Sequence, residues 1–300
     1  MGVATRWHSW VALLFTAVAA APAHAGPALR LAPPPASPPP AARGLIAIVI
    51  DDLGEQRIAG LDAARLPGPV ALAFLPGGAY TRVQALHAYE RGKEILLHLP
   101  LQPAGTARAH PAALTVDTGR EQLAASFRRA LESVPYASGV NNHQGSLATA
   151  REAPMDWLMR EIGRQPGLYF IDSRTTAGSV AYRAARAHGV PTAERNVFLD
   201  STRGEAAVRA SFRELIGKAL QNERALAIGH PYPETFKVLV EELPQLATRY
   251  GVRLVAPSEL IARQAGARGP YRQLRLSPAL TLATSTTGPA APAATSTMAH

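Results

Sequence analysis

Short apolar runs recur along the sequence, and helical patterns separate them. Amphipathic patterns between the runs predict helices, one opening at a capping box of Thr118 and Glu121 and another running from Val208 to Ala219. Continuous apolar strands that alternate with helices are typical of a parallel sheet covered by helices. The sequence therefore predicts an α/β fold, in one barrel-like domain of about seven parallel strands. The predicted strands are residues 45–50, 70–75, 94–97, 168–171, 197–199, 226–228 and 252–255.

Acidic residues and histidines fall at or just beyond the ends of these apolar runs. In parallel α/β folds the carboxyl ends of the strands open on the same side, so residues distant in sequence converge on one mouth. Carboxylates and imidazoles that meet there can hold a divalent metal and supply acid–base groups. The residues in this position are Asp51, Asp52, His98, Asp172, Asp200 and His230.

Each of these residues also has a purely structural interpretation. Asp172 or Asp200, taken alone, is better explained as a cap of the following helix. His98 follows two leucines and is equally consistent with a buried core histidine. The adjacent Asp51 and Asp52 are harder to explain structurally, because two neighbouring carboxylates repel each other unless a cation or a proton relieves them.

His143 lies in a polar segment, residues 139–146, which is predicted to be a loop. The segment is dense in side chains that bind metals or form hydrogen bonds, and it includes Asn141 and Asn142. A solvated turn is the alternative interpretation.

The two ends of the chain differ in composition from its middle. Residues 26–43 are rich in proline and alanine, which predicts a semi-rigid linker with a polyproline II conformation. Residues 265–300 are rich in alanine, threonine, serine and proline without periodicity, which predicts a disordered tail. The folded domain is therefore predicted over residues 44–264.

Residues 1–25 have the pattern of a signal peptide. Arg6 precedes a short apolar run that ends at Ala23-His24-Ala25, a small–x–small motif of the kind signal peptidase recognises. We expect cleavage after Ala25 and export to the periplasm, which leaves no membrane span in the mature chain. An uncleaved membrane anchor is the alternative.

The composition excludes several classes of function. The chain contains no cysteine, which rules out disulfides, thiolate nucleophiles and zinc ribbons. Its formal net charge is +9, but the basic residues are scattered and include no run of five. No aromatic–basic interleaving suggests stacking with bases, so a nucleic-acid partner is not expected.

Six segments, in order along the predicted domain, resemble the divergent polysaccharide deacetylase family. This family is distantly related to the metal-dependent deacetylases of carbohydrate esterase family 4. The resemblance implies a single distorted (β/α) barrel of the polysaccharide deacetylase type, and metal-dependent removal of acetyl groups from N-acetylated glycans. The matching segments are residues 48–54, 71–76, 94–101, 139–146, 171–175 and 228–231.

The resemblance also implies roles for individual residues. In the esterases the first Asp of a Thr-Phe-Asp-Asp-Gly motif is the catalytic base and the second binds metal, and these positions match Asp51 and Asp52. The first histidine of a metal-binding His-x-x-x-His pair matches His98. The late histidine that acts as general acid matches His230.

One metal ligand of the esterase pattern is missing. The second histidine of the His-x-x-x-His pair is replaced by Gln102. His143 is the candidate replacement, because its segment is also expected at the carboxyl end of the sheet. A site of Asp52, His98 and His143 would suit a divalent metal, Zn²⁺ first, with manganese, iron or cobalt as alternatives.

Four further residues are predicted to support this site. Asn142 or Asp172 could fix the tautomer of a ligand imidazole. Arg174 or Arg195 could orient Asp51, and the sequence does not choose between them.

Two other functions are also consistent with the sequence. The barrel could be a non-catalytic module that binds glycan or an envelope protein, an interpretation that the loss of the histidine at Gln102 favours. The retention of both Asp51 and His230 argues against it, since binding alone needs neither a base nor an acid. A metal-dependent phosphohydrolase is the second alternative, and it would use Arg174 and Arg195 as cations at the mouth.

Overall fold

All strand pairings of the sheet are parallel. The computed structural model describes residues 42–264, in which nine strands form one sheet. The predicted signal peptide, the tail and all but residues 42 and 43 of the predicted linker lie outside the described residues. The strands are β1 Gly44–Leu53, β2 Ala71–Phe74, β3 Ile95–Leu101, β4 Ala137–Gln144, β5 Tyr169–Asp172, β6 Thr192–Glu194, β7 Val197–Phe198, β8 Arg224–Gly229 and β9 Val252–Leu254.

Helices follow most of the strands and cover the outer face of the sheet. None of the helices within residues 42–264 combines the length and apolar character needed to cross a bilayer. The α-helices are α1 Ala59–Ala63, α2 Thr81–Glu90, α3 Arg120–Ser133, α4 Glu152–Gly163, α5 Ala181–Ala187, α6 Glu205–Asn222, α7 Pro233–Glu242 and α8 Pro257–Gln264.

The sheet curls into a barrel that closes at a two-residue link. Its strand order is β6-β5-β4-β3-β2-β1-β8-β7, with β9 beside β1, so β6 and β7 stand at opposite ends of the path. Only Arg195 and Asn196 separate them in sequence. The Arg195 N–H donates to the Asp172 carbonyl on one edge, and the Asn196 N–H donates to the Leu226 carbonyl on the other. The predicted α/β barrel is therefore confirmed, and β6 and β7 together occupy one strand position in its wall.

Successive side chains of a strand point to opposite faces of the sheet, and the two faces pack in separate hydrophobic layers. On β1, Ile46, Ile48 and Ile50 pack in the larger core cluster, which also contains the buried faces of the helices. Ala47 and Val49 belong to a smaller cluster inside the barrel. That interior contains several alanines, and α8 contributes apolar residues to it.

The polar segment around His143 is a strand and not the predicted loop. Residues 137–144 form β4, which pairs with β3 on one side and β5 on the other. Its side chains are polar because one face of its carboxyl-terminal half lines the barrel mouth, where Asn141 is fully buried and hydrogen-bonded. Apolar patterning detects strands that face a core on both sides, so it misses a central strand that carries the site.

The predicted start of α3 is also corrected. The helix begins at Arg120, with Gly119 as its N-cap and no side-chain capping bond. The Thr118 hydroxyl instead accepts a hydrogen bond from the Thr115 N–H at 3.0 Å, within the preceding turn. The helix predicted around Val208 to Ala219 is confirmed as part of α6.

Gly139 allows Tyr169 to fill the barrel interior, and this gives a stability prediction. A Cβ at position 139 would lie 2.4 Å from the Tyr169 ring, so Gly139→Ala should lower the free energy of unfolding by about 1–3 kcal/mol. Gly217→Ala in α6 is the matched control, because no atom beyond the adjacent residues and backbone of its own helix lies within 4 Å of the added Cβ, and it should stabilise by up to about 1 kcal/mol. Urea unfolding of both variants tests this, and equal midpoints would contradict it.

Candidate metal centre and active site

The carboxyl ends of β1, β3, β4 and β8 bring five ionisable side chains to one mouth of the barrel. Asp51 continues the inward-facing positions of β1, and His98, His143 and His230 continue those of their own strands. Asp52 would face outward under strict alternation. Its φ of +58° and the register shift at this point of β1 turn its carboxylate toward the same mouth.

Asp52, His98 and His143 form a compact cluster of metal-ligating atoms. Asp52 Oδ1 lies 3.1 Å from His98 Nε2 and 2.9 Å from His143 Nδ1, and the two nitrogens are 3.3 Å apart. Ligands held about 2.0–2.2 Å from a tetrahedral ion lie about 3.3–3.6 Å from one another. The donor set and its spacing therefore fit a divalent metal after only a small expansion.

The carboxylates in and beside this cluster favour the presence of positive charge. Burial raises the pKa of Asp52, but hydrogen bonds with His143 and His98 outweigh that effect and hold the pKa well below its usual range. Burial lowers the pKa of His98, and the opposing attraction of Asp51 and Asp52 raises it overall to about 9. Two carboxylates thus share a largely buried space that a protonated imidazole or a metal ion can neutralise.

Competition between protons and metal gives a pH prediction. His98 must be neutral to bind a metal ion, and its metal-free pKa is about 9. The apparent affinity for Zn²⁺ should therefore rise with pH, about tenfold per unit from pH 6 to 9, because one proton is released on binding. Chelator-competition titrations measure this slope. His188→Ala, which alters a histidine paired with Asp156 away from the site, should show the same slope, and a pH-independent affinity would contradict the assignment.

Gln102 has a structural role in place of the expected ligand. Its Oε1 accepts a hydrogen bond from the Val116 N–H at 2.8 Å, and its carbonyl accepts from the Leu147 and Ala148 N–H groups. His143 reaches the cluster from the neighbouring strand, where it pairs with Pro100 in the β3–β4 register.

Asn141 joins the candidate base to a candidate metal ligand. Its Nδ2 donates to Asp51 Oδ1 at 2.8 Å, which leaves its Oδ1 as the acceptor for His98 Nδ1–H at 2.9 Å. This bond fixes the neutral His98 tautomer with the Nε2 lone pair facing the cluster. Burial raises the pKa of Asp51, and the attraction of His98 and His230 offsets only part of that rise.

The tautomer-fixing role was predicted for Asn142 or Asp172, and both predictions are wrong. Asn142 donates to the Gln144 carbonyl and accepts from the Ser173 N–H, so it ties β4 to the end of β5. Asp172 accepts from the Arg174 N–H, the Ser179 hydroxyl and the Tyr182 N–H, and thereby holds the start of α5. Position within β4 could have identified Asn141, because it shares the inward face with His143.

Neither predicted arginine contacts Asp51. Arg174 pairs with Glu194 at 3.3 Å. Arg195 donates from Nε to the Ser173 carbonyl and from Nη2 to the Arg174 carbonyl, both at 2.7 Å. The group that orients Asp51 is the neutral Asn141 amide, which the sequence analysis did not assign to it.

His230 is held by Asp200, a residue that the sequence places at the mouth without indicating this contact. His230 Nδ1 lies 2.9 Å from Asp200 Oδ1, while Asp200 Oδ2 accepts from the His230 N–H at 2.6 Å and from the Thr235 hydroxyl at 2.8 Å. Nε2 of His230 faces Asp52 Oδ2 at 3.8 Å. Burial lowers the pKa of His230, but Asp200 and the other carboxylates outweigh burial and raise it. This environment favours a histidine that carries a proton to donate.

These side chains line a cavity of about 260 Å³. Besides the five ionisable residues, its walls include polar groups near the ends of β4 and β5 and an apolar patch from β7 and β8. The additional lining residues are Asn142, Gln144, Ser173, Thr175, Phe198 and Ile228. The cavity thus combines a metal-ligating cluster, a candidate base and a candidate acid in one space.

Comparison with known proteins identifies the family to which this barrel and site belong. Residues 48–261 match the family model described as divergent polysaccharide deacetylase, and the chain belongs to that family. The match spans all five ionisable residues of the mouth. The family predicted from the sequence motifs is thereby confirmed.

Individual relatives extend this comparison. The uncharacterized protein YibQ of Escherichia coli (strain K12) is 35% identical over 222 residues, which cover 74% of this chain and 69% of that protein. A Haemophilus influenzae (strain ATCC 51907 / DSM 11121 / KW20 / Rd) protein is 35% identical over 205 residues, 68% of this chain and 73% of the relative. The crystal structure of ATU2773 from Agrobacterium tumefaciens C58 shares the fold, with a TM-score of 0.68, 26% identity and coverage of 71% of this chain and 87% of that chain.

Proposed function

We propose that this protein is a metal-dependent hydrolase that removes acetyl groups from N-acetylated glycans of the peptidoglycan type. One observation carries the proposal: a candidate base and a candidate acid both flank the Asp52–His98–His143 cluster. Asp51 Oδ2 lies 3.6 Å from His98 Nε2, and His230 Nε2 lies 3.8 Å from Asp52 Oδ2. A site that only binds would need neither group.

The cluster would hold Zn²⁺, since one carboxylate and two imidazoles suit that ion, and manganese, iron or cobalt could occupy the same donors. When bound, the ion would supply positive charge that polarises an acetamide carbonyl. His98 presents Nε2 because Asn141 fixes its tautomer. His143 presents Nδ1.

The protein's own residues would move the protons of the reaction. Asp51 is free to accept a proton at Oδ2, because its Oδ1 is held by Asn141, and its raised pKa makes it a stronger base. A water oxygen forms the new C–O bond as Asp51 takes its proton. His230 then gives the Nε2 proton to the nitrogen of the breaking C–N bond, so acetate and an amine leave. Asp200 keeps His230 oriented through Nδ1.

The phosphohydrolase alternative loses its support from the arginines. Arg174 is neutralised by Glu194, and Arg195 is committed to two backbone carbonyls. Neither guanidinium is therefore available as a dedicated phosphate clamp.

Paired variants test the deacetylase proposal. Asp51→Asn should keep bound metal but lower acetate release from N-acetylglucosamine oligomers by at least about 100-fold, because it removes the base. His143→Ala should lose most of the metal, because it removes one of three ligands. Elemental analysis and acetate assays on the same samples measure both effects, with His188→Ala as the control that should behave like the wild type.

Other results would point to the alternative functions. Metal-loaded wild-type protein that binds glycan without releasing acetate would support the non-catalytic module. Metal retained in His143→Ala but lost in His230→Ala would make His230 the third ligand, and the general acid would then lie elsewhere.

Export is a separate part of the proposal. The Ala23-His24-Ala25 motif supports cleavage after Ala25 and a periplasmic mature chain, where N-acetylated envelope glycans would be its substrates. N-terminal sequencing of the protein recovered from the cell envelope should give Gly26. An Ala25→Arg variant, which blocks small-residue recognition, should retain the precursor. Met1 on the wild-type envelope protein would contradict the proposal.

A further inference from the structure

The Asp200 contact orients His230 but holds the plane of its ring only loosely. A single side-chain hydrogen bond, from Nδ1 to Asp200 Oδ1, restrains the imidazole only softly, because the ring can tip by a partial rotation about its Cβ–Cγ bond that bends the hydrogen bond without breaking it. Tipping would move Nε2, the atom that faces the cluster. A second contact, on the face of the ring, would oppose that rotation.

Phe198 supplies a contact of this kind. Its ring lies nearly parallel to the His230 ring, with 5.2 Å between centroids and 17° between planes. Tyr232 also approaches His230, but at 37° it is tilted and does not lie flat on the ring. Phe198 and His230 both line the cavity, so this stacked pair is part of its wall.

Arg195 supports Phe198 in turn. Its guanidinium carbon lies 4.6 Å from the centroid of the Phe198 ring, within range of a cation–π contact. The guanidinium cannot swing away easily, because the Ser173 and Arg174 carbonyls each accept a hydrogen bond from it. The three side chains thus connect the turn after β5, through the barrel-closing link, to the imidazole on β8.

We propose that Phe198 is a positioning residue for His230, with Arg195 as its support, and that the stack holds Nε2 on the line of proton donation to the departing amine. This inference rests on the proposed deacetylase function. It assigns Phe198 no contact with the reacting atoms. Arg195, which does not orient Asp51, acquires a defined role on the acid side of the site.

Two substrates with different leaving groups test the inference. An amine must receive a proton to leave, whereas the phenolate of an aryl acetate ester leaves without one. Phe198→Leu should therefore lower kcat on N-acetylglucosamine oligomers by about 10- to 100-fold, with KM and metal content unchanged. Its kcat on the aryl acetate should stay within about threefold of wild type.

Matched variants separate positioning from general damage. Phe198→Tyr keeps a flat ring and should recover glycan turnover to within about threefold of wild type. Arg195→Lys keeps the charge but loses the planar group, so it should show a smaller loss with the same difference between substrates. Tyr136→Leu removes a ring stacked on Tyr89 at 4.0 Å outside the site and should change neither rate. An equal fall on both substrates, or no fall in Phe198→Leu and Arg195→Lys, would overturn the inference.

A measurement without turnover separates this inference from the proposed function. The Nδ1–H proton of His230, observed by NMR of histidine-labelled protein, should exchange with solvent about tenfold faster in Phe198→Leu than in wild type. Unchanged exchange would overturn the positioning role. Wild-type protein that cleaves neither substrate would overturn the deacetylase proposal, and the exchange rates would still decide whether the stack holds the ring.

Discussion

Closure of the barrel at Arg195 and Asn196 is the constraint on which the site depends. These two residues carry the chain from the β5 edge of the sheet to the β8 edge, with one backbone hydrogen bond to each. In an open sheet with this strand order, β8 and β5 would lie far apart, because four strands separate them. His230, which follows β8, would then be distant from the end of β5. The closed wall makes the carboxyl ends of all the strands into one rim, and this rim is where base, ligands and acid can meet.

Electrostatics then determine what the rim can hold. The apolar interior below the mouth buries Asp51 almost completely, and the local backbone turn at Asp52 places a second carboxylate beside it. Two such charges are unfavourable together unless positive charge accompanies them. His98 and His143 both contact Oδ1 of Asp52, and His230 faces Oδ2 of the same carboxylate. The repulsion between the Asp51 and Asp52 carboxylates therefore favours the binding of a cation beside them.

The apolar strands predict the barrel and four of the five ionisable residues of the mouth, because those four stand at the ends of apolar runs. His143 is predicted only as the replacement for the histidine missing at Gln102, since its own segment carries no apolar run. A run of alternating interior and exterior apolar residues marks a strand, and its end marks the mouth. The contacts that orient those five residues were predicted less well. Asn141 differs from Asn142 in the face of β4 that it occupies, and this face is known only once β4 is recognised as a strand. Asp200 differs from Asp172 in having His230 as its partner, and this contact is known only from the closed barrel. Local signals indicated a helix cap for Asp200, while its main partners lie about thirty residues away.

Gln102 and His143 have exchanged the parts that the sequence motif would give them. In the β3–β4 register, Pro100 pairs with His143, so a histidine there stands at the mouth near His98. Gln102 is consequently free to bind the backbone of the segments around Val116 and Leu147, which builds the wall beside the site. A metal site requires each ligand nitrogen to lie at a particular point, and side chains on two neighbouring parallel strands can reach the same point. The cluster therefore contains a second imidazole nitrogen although Gln102 stands at the motif's second histidine, which weakens the main argument for a barrel without a metal site.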